Sequence, residues 1–211
     1  MGIEDWNLNE LLKQAVTDID SDQQHFRLAL FFIVFNPVFW NIVAYAEYRT
    51  HFLTKIAGGA HRGCYILAAV IFSLGVVRDY FFNRALDNQV PSQFLEWEYF
   101  RPLGSVFFGF GQLLVVTSMW QLGITGTYLG DYFGILMDEK VVAFPFNVCN
   151  NPMYVGSALS FLGVALYRAR AAGVFLALLM NTMYSIALKF EEPFTAMVYG
   201  KRAEEKTKKS S

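Results

Sequence analysis

Apolar residues in this chain are gathered into long runs, at 26–45, 64–82, 102–122 and 153–190. About 20 such residues are what an α-helix needs to cross the hydrocarbon of a bilayer. The composition agrees. Of 211 residues, 55% are hydrophobic and 17% charged, against about 25% charged in an ordinary soluble domain. A soluble chain of this size would hide so much apolar surface only with difficulty. The reading is all-α: a polytopic transmembrane helical bundle with four to five membrane-embedded helices and a C-terminal helical hairpin.

Each run carries a mark that refines it. The first contains Asn36-Pro37. Proline removes a backbone donor and kinks a helix, so this run is either a kinked span or a re-entrant intramembrane helix. The second ends in Arg78-Asp79, expected to pair or to snorkel near the far interface. Pro102 opens the third, where a proline is well tolerated. The last is interrupted at 167–173 by Tyr167-Arg168-Ala169-Arg170-Ala171-Ala172-Gly173. That turn predicts a hairpin whose outer ends share one membrane face. Its first arm, 153–166, is short, about 20 Å at 1.5 Å per residue. The hairpin therefore sits shallow or recruits residues from Pro145 onward.

The loops set the orientation. Segment 47–62 is basic, with Arg49, Lys55 and Arg62, and is loosened by Gly58-Gly59; segment 83–101 carries Asp87, Glu96 and Glu98. Segment 123–151 has Asp131, Asp138, Glu139 and Lys140 among glycines and aromatics. It is too polar to cross a membrane and too aromatic for a simple linker, so it reads as a functional loop. If all five runs cross, the basic loop, segment 123–151 and the basic C-terminus lie on one side, which the positive-inside rule makes cytosolic. Arg168 and Arg170 are then the exception, on the lumenal side with the acidic loop and the N-terminus. A re-entrant first run would move 47–62 to the other side.

Three segments follow: an N-terminal arm at 1–25, a single membrane-embedded domain at 26–200, and a basic cytosolic tail at 201–211. The arm lacks the shape of a signal peptide. Trp6, Leu8, Leu11, Leu12, Val16 and Ile19 fall at roughly helical spacing, which fits an interfacial helix and equally a solvated arm. A net charge of −1 gives no reason to expect a nucleic-acid partner. Cys64 and Cys149 make no disulfide framework. His25, His51 and His61 lack metal-ligand spacing, and no metal site is expected.

Four constellations could carry chemistry. Asn151-Pro152-Met153-Tyr154-Val155-Gly156 has the form of a helix start, with Asn151 as N-cap and Pro152 at the first helical position. Such an N-terminus could also hold a ligand carboxylate, with Tyr154 offering its ring or hydroxyl. Glu191-Glu192-Pro193 reads as the end of the last helix, where the dipole disfavours negative charge. Two acids there want a cationic or hydroxyl-bearing partner, or are simply solvated. Gly109-Phe110-Gly111 lies inside an apolar run and follows no strand, which excludes a dinucleotide fingerprint. It marks close helix packing or close approach of a flat ligand to bare backbone. In Tyr128-Leu129-Gly130-Asp131-Tyr132-Phe133-Gly134, Asp131 could bind an ammonium or take its proton. Tyr128, Tyr132, Phe144, Phe146 and Tyr154 could face a methylated ammonium by cation–π attraction, or form an interfacial aromatic belt.

Together these residues carry a resemblance. LGITGTYLGDYFGILMDEKVVAFPFNVCNNPMYVGS, followed by ALKFEEPFTAMVY, closely resembles the phosphatidylethanolamine N-methyltransferase family. FNPVFWNIVAYAEYRTHFLTKIAGGAHRGCYILAAVIFSLGVVRDY resembles its fungal branch, which acts on phosphatidyl-N-methylethanolamine. The match runs from about Phe26 to Tyr199. It implies S-adenosylmethionine as methyl donor and a cofactor site at Gly109-Phe110-Gly111 and Glu191-Glu192, to which the helix-start reading adds Asn151 and Tyr154. It implies an endoplasmic reticulum membrane, with some members at mitochondria, and a first run treated as intramembrane. The related isoprenylcysteine carboxyl methyltransferases have His-Pro-x-Tyr-x-Gly where this chain has Asn151-Pro152-Met153-Tyr154-Val155-Gly156. The departure favours a lipid amine as acceptor.

The implied reaction moves a methyl group from a sulfonium to a neutral amine, so the acceptor must lose a proton. Asp131, or one of Glu191 and Glu192, is the expected base. Tyr128, Tyr132, Phe144 and Phe146 are the expected acceptor-binding residues. The phospholipid enters sideways from the cytosolic leaflet, and the cofactor comes from the cytosol. Three other readings compete: an isoprenylcysteine methyltransferase type, a small transporter, and a non-catalytic membrane scaffold. A transporter would need ionisable residues in mid-span, and this sequence places most of its charges at span ends.

Overall fold

A computed structural model describes residues 8–138 and 141–210. Trp6, Glu139 and Lys140 lie outside the described residues, as do the side chains of Leu8, Leu11, Leu12 and Lys209. The described chain is helical, in seven α-helices: α1 Leu8–Thr17, α2 Gln24–Thr50, α3 Phe52–Ala57, α4 Ala60–Asn88, α5 Phe100–Thr127, α6 Pro152–Tyr167 and α7 Ala171–Ser210. A 3-10 turn, Gly130–Phe133, follows α5. The four long helices α2, α4, α5 and α7 have the length and hydropathy to cross a membrane. The 16 residues of α6 reach about 24 Å.

α2 settles the first run. It continues for 27 residues with Pro37 inside it, about 40 Å of helix, and does not turn back. Its start lies against the end of α4: Asp20 N–H donates to Gln89 Oε1 at 2.9 Å, and Gln89 Nε2 returns a bond to Asp20 O at 2.8 Å. The α6–α7 turn joins the same face. Arg168 donates to Asp87 Oδ1 at 2.8 Å, Arg170 Nε to Leu86 O at 2.8 Å, and Ser92 N–H to Ala169 O at 2.8 Å. Those contacts explain the two arginines that broke the charge rule: they tie one end of the bundle together.

At the opposite face, α3 is held by a buried acid. Glu47, fully buried, accepts from Leu53 N–H at 2.7 Å, from Thr54 N–H at 3.2 Å, and from the Thr54 hydroxyl. Next to it Ala44, Cys64, Leu67, Tyr132, Phe133 and Phe194 form one apolar cluster. The basic loop, segment 123–151 and the later part of α7 therefore share a face, as five crossings require.

α5 and α6 touch backbone to backbone. A Cβ added at Gly104 would lie 2.6 Å from Gly163 O, and one added at Gly111 would lie 2.5 Å from Gly156 O. Side chains cannot fit there, so the paired glycines let the two helices approach. Gly123, at φ 62 and ψ −174, kinks α5; only glycine takes that conformation without strain. On the other side of the bundle, Phe82, Leu86, Phe161, Leu176 and Met180 belong to the main core. α7 runs 40 residues through Pro193, about 60 Å and roughly twice a bilayer's hydrocarbon. Residues 201–210 continue this helix rather than leave it.

Candidate active site

A cavity of about 1000 Å³ opens between these helices. It extends from Asn36 and Arg78 inside the bundle to Asn151, Glu192 and Tyr199 at the face holding segment 123–151. Four carboxylates line it: Asp79, next to Arg78, and Asp131, Glu191 and Glu192 toward the other end.

Glu191 has donors on both oxygens. Trp40 Nε1 reaches Oε1 at 2.8 Å, Asn41 Nδ2 reaches the same oxygen at 3.1 Å, and the Tyr154 hydroxyl donates to Oε2 at 2.7 Å. The rings of Trp40, Tyr154 and Tyr184 pack against one another, with centroids 6.5, 6.3 and 4.7 Å apart. Glu192 Oε1 accepts from Asn151 Nδ2 at 2.8 Å. Asp131 accepts from the Thr195 hydroxyl at 2.6 Å and from Tyr132 N–H at 3.1 Å. Each of these donors is neutral, so Asp131, Glu191 and Glu192 have no cation bonded to them, whereas Asp79 is paired with Arg78.

Two expectations about this region change. The acidic pair is not at a helix end, because α7 runs on past Pro193 to Ser210. A helix dipole therefore does not act on it. It lies about 30 Å along α7 from Ala171, about the thickness of a bilayer's hydrocarbon. The second correction concerns Asn151. It occupies the N-cap position of α6, and its carbonyl accepts from Val155 N–H at 3.1 Å. Its side chain makes no cap bond and reaches across to Glu192 instead. α6 is thereby tied to α7 beside the cavity.

The other expected residues divide. Tyr128, Phe146, Asn151 and Tyr154 line the cavity. Tyr132 does not: it is buried and stacked on Phe194 with centroids 3.7 Å apart, which commits its ring to packing. Phe144 is partly exposed and lies outside the lining. Gly109, Phe110 and Gly111 also lie outside it. Gly111 closes on Gly156 and Ser160 of α6, while a Cβ at Gly109 would meet nothing within 4 Å.

Several site residues escaped the sequence reading. Trp40 and Asn41 orient Glu191, and their signal was a polar pair inside an apolar run. Tyr184 and Thr195 flank the acidic pair by seven residues before and four after Glu191, which are helical spacings. Of the two expectations for Arg78, pairing with Asp79 holds and snorkelling outward does not. Arg78 turns into the bundle, bonding Asp79 Oδ1 at 2.8 and 3.0 Å and the Tyr184 hydroxyl at 2.7 Å.

Comparison with known proteins adds the family. A family model described as phospholipid methyltransferase matches residues 100–202. The phosphatidyl-N-methylethanolamine N-methyltransferase of Saccharomyces cerevisiae is 54% identical over 204 residues, which cover 97% of this chain and 98% of that protein. The protein of the same name from Emericella nidulans is 52% identical over 195 residues, covering 90% of this chain and 93% of its own. The phosphatidylethanolamine N-methyltransferase of Homo sapiens is 39% identical over 192 residues, covering 91% and 96%. No solved structure matches the chain. With its acidic pair held in a cavity among membrane-embedded helices and its whole length aligned to such relatives, the chain belongs to the phospholipid methyltransferase family and is an enzyme of the membrane.

Proposed function

We propose that this enzyme methylates the amine headgroup of phosphatidyl-N-methylethanolamine, and then of its dimethyl product, to give phosphatidylcholine. The observation that carries the reading is that three of the cavity's four carboxylates, Asp131, Glu191 and Glu192, are bonded only to neutral donors. Such a site suits cationic ligands, and the reaction has two: a sulfonium donor and an ammonium acceptor. The relatives' names supply the acceptor class.

S-adenosylmethionine, when bound, supplies a methyl group already activated on a sulfonium sulfur. Glu191 and Glu192 suit its positive centres and ribose hydroxyls, and Tyr154 and Trp40 give ring faces beside them. The N-terminus of α6 after Asn151 suits its carboxylate. Most of the protein's task is then positioning. The acceptor nitrogen attacks carbon with its lone pair, the carbon–sulfur bond breaks onto sulfur, and the nitrogen sheds one proton. Glu191 accepts from three side chains and Asp131 from one side chain and one backbone N–H, so Asp131 is the better placed base, with Tyr128 and Phe146 facing the amine. Glu192, tied to Asn151, holds the donor. The lipid enters from the cytosolic leaflet of the endoplasmic reticulum membrane. The C-terminus and cavity mouth face the cytosol, in keeping with the basic charge of that face.

The test supplies labelled S-adenosylmethionine to purified enzyme with phosphatidylethanolamine, its monomethyl form and its dimethyl form separately. Transfer to the monomethyl and dimethyl lipids, with little to phosphatidylethanolamine, is expected. Transfer to a prenylated cysteine carboxylate instead, or to no acceptor, refutes the reading.

A further inference from the structure

We infer that Arg78 binds the phosphate of the lipid acceptor and so fixes how deep its headgroup sits. The inference rests on the lipid N-methyltransferase reading above. Arg78 lies inside a membrane-crossing helix, 18 residues into α4 and ten before its end. Its side chain is only 13% exposed and lines the cavity that holds the carboxylates. A guanidinium at such depth is costly and marks a binding site more often than a structural accident.

Its bonding leaves room for an anion. Arginine has five N–H donors. Nε and one terminal nitrogen give a hydrogen each to Asp79 Oδ1, and the other terminal nitrogen gives one to the Tyr184 hydroxyl. One hydrogen remains on each terminal nitrogen, the fork that suits two oxygens of a phosphate. Asp79 is a loose partner: it offers a single oxygen, is 50% exposed, and as the next residue does not share Arg78's helix face. Phe161 supports the guanidinium from below, its ring centroid 5.0 Å away.

The surroundings suit a lipid more than the cofactor. α5 packs chiefly on α6 and α4 on α2, so α4 and α5 touch little. Phe72 and Val76 of α4 and Val115 and Met119 of α5 line the cavity along this seam, a wall for acyl chains. Along α7, Tyr184 lies about 10 Å deeper than Glu191. Phe72 and Val76 precede Arg78 on α4, which begins at the carboxylate face, so the apolar seam opens level with the stretch between the guanidinium and the carboxylates, a lateral opening through which a lipid headgroup could reach both.

The experiment compares two acceptors in the purified full-length enzyme: phosphatidyl-N-methylethanolamine, and a dialkylglycerol ether that carries N-methylethanolamine with no phosphate. S-adenosylmethionine binding is measured in parallel. Arg78→Gln is expected to lower kcat/KM for the phospholipid about ten- to a hundred-fold, the range of a lost charge-assisted hydrogen bond. The loss should fall mainly on KM, with the ether acceptor and cofactor affinity unchanged. Arg78→Lys should recover part of it, since a point charge keeps attraction but loses the fork. An equal loss for both acceptors makes Arg78 merely structural and overturns the proposal. So does weakened cofactor binding, which would assign the guanidinium to the cofactor's carboxylate. A wild type that uses both acceptors equally well also overturns it. Wild type that methylates neither acceptor refutes instead the reading on which the inference rests.

Discussion

Gly109 and Gly111 separate two roles that one motif could play. In the structure a Cβ at position 111 would sit 2.5 Å from Gly156 O, 2.5 Å from Ser160 Oγ and 2.8 Å from Ser160 N. Two of those atoms are backbone and cannot rotate away. To restore ordinary carbon–oxygen contact, α5 and α6 would have to separate by about 0.7–1 Å along an interface also closed by Gly104 and Gly163. Overpacking of this kind costs about 1–3 kcal/mol. For a chain of this size that is about 2–4 °C of melting temperature per kcal/mol, so Gly111→Ala should melt roughly 2–12 °C below wild type in detergent. Gly109→Ala adds a methyl to open space and gains helix propensity, so it should melt at or slightly above wild type. The assay is thermal unfolding beside S-adenosylmethionine binding for both variants. Loss of cofactor affinity in a normally stable Gly109→Ala protein would refute the packing account. It would show that the glycines meet the cofactor, as the family resemblance implied.

Three other outcomes follow from the same geometry. Glu192→Ala removes the anchor of Asn151 and one of the cavity's charges; cofactor affinity should fall about tenfold or more while the lipid KM stays nearly constant, and equal affinity in calorimetry would remove Glu192 from the cofactor site. Asp131→Asn keeps the Thr195 contact but cannot take a proton. Its kcat should fall about a hundredfold or more, without the loss of rate at acid pH that a protonating carboxylate imposes, and full activity across the pH profile excludes Asp131 as base. Glu47→Ala strips acceptors from Leu53 N–H and Thr54 N–H in a buried place; it should cost about 1–3 kcal/mol, read as a lower melting temperature, and unchanged melting would mean that α3 is capped otherwise.

The apolar helices were legible because hydrophobic length is a local property: the first three runs became one long helix each, and the interrupted last run became the α6–α7 pair. Pro37 was ambiguous because a proline's effect depends on what packs around it, and here α2 stays helical through it. The end of α7 was misread for a related reason. The change from apolar to charged residues after Phe190 marks the end of the apolar stretch, and the helix simply outlasts it. Asn151 was recognised by position but not by partner. Capping is decided within a few residues, whereas its bond to Glu192 spans 41 positions and exists only once α6 and α7 lie side by side. Arg78 and Tyr184, 106 positions apart, were invisible as a pair for the same reason.

Moving the acidic pair into mid-helix changes what its charges require. At a helix end, two acids could be put down to solvation. At the end of the apolar stretch of a continuous helix, Glu191 is enclosed by Trp40, Asn41 and Tyr154, which orient a carboxylate without neutralising it. An arginine or lysine in their place would hold Glu191 as firmly, but would cancel the charge and repel a sulfonium. Neutral donors keep the charge fixed and available, the arrangement that favours a cation arriving from outside. The guanidinium lies instead about two helical turns deeper, joined to the acids only through the rings of Tyr184 and Tyr154. A guanidinium that shares only one oxygen of Asp79, set apart from Glu191 and Glu192 along one cavity, can sort the two ends of a zwitterionic headgroup, which a cavity of one sign could not do.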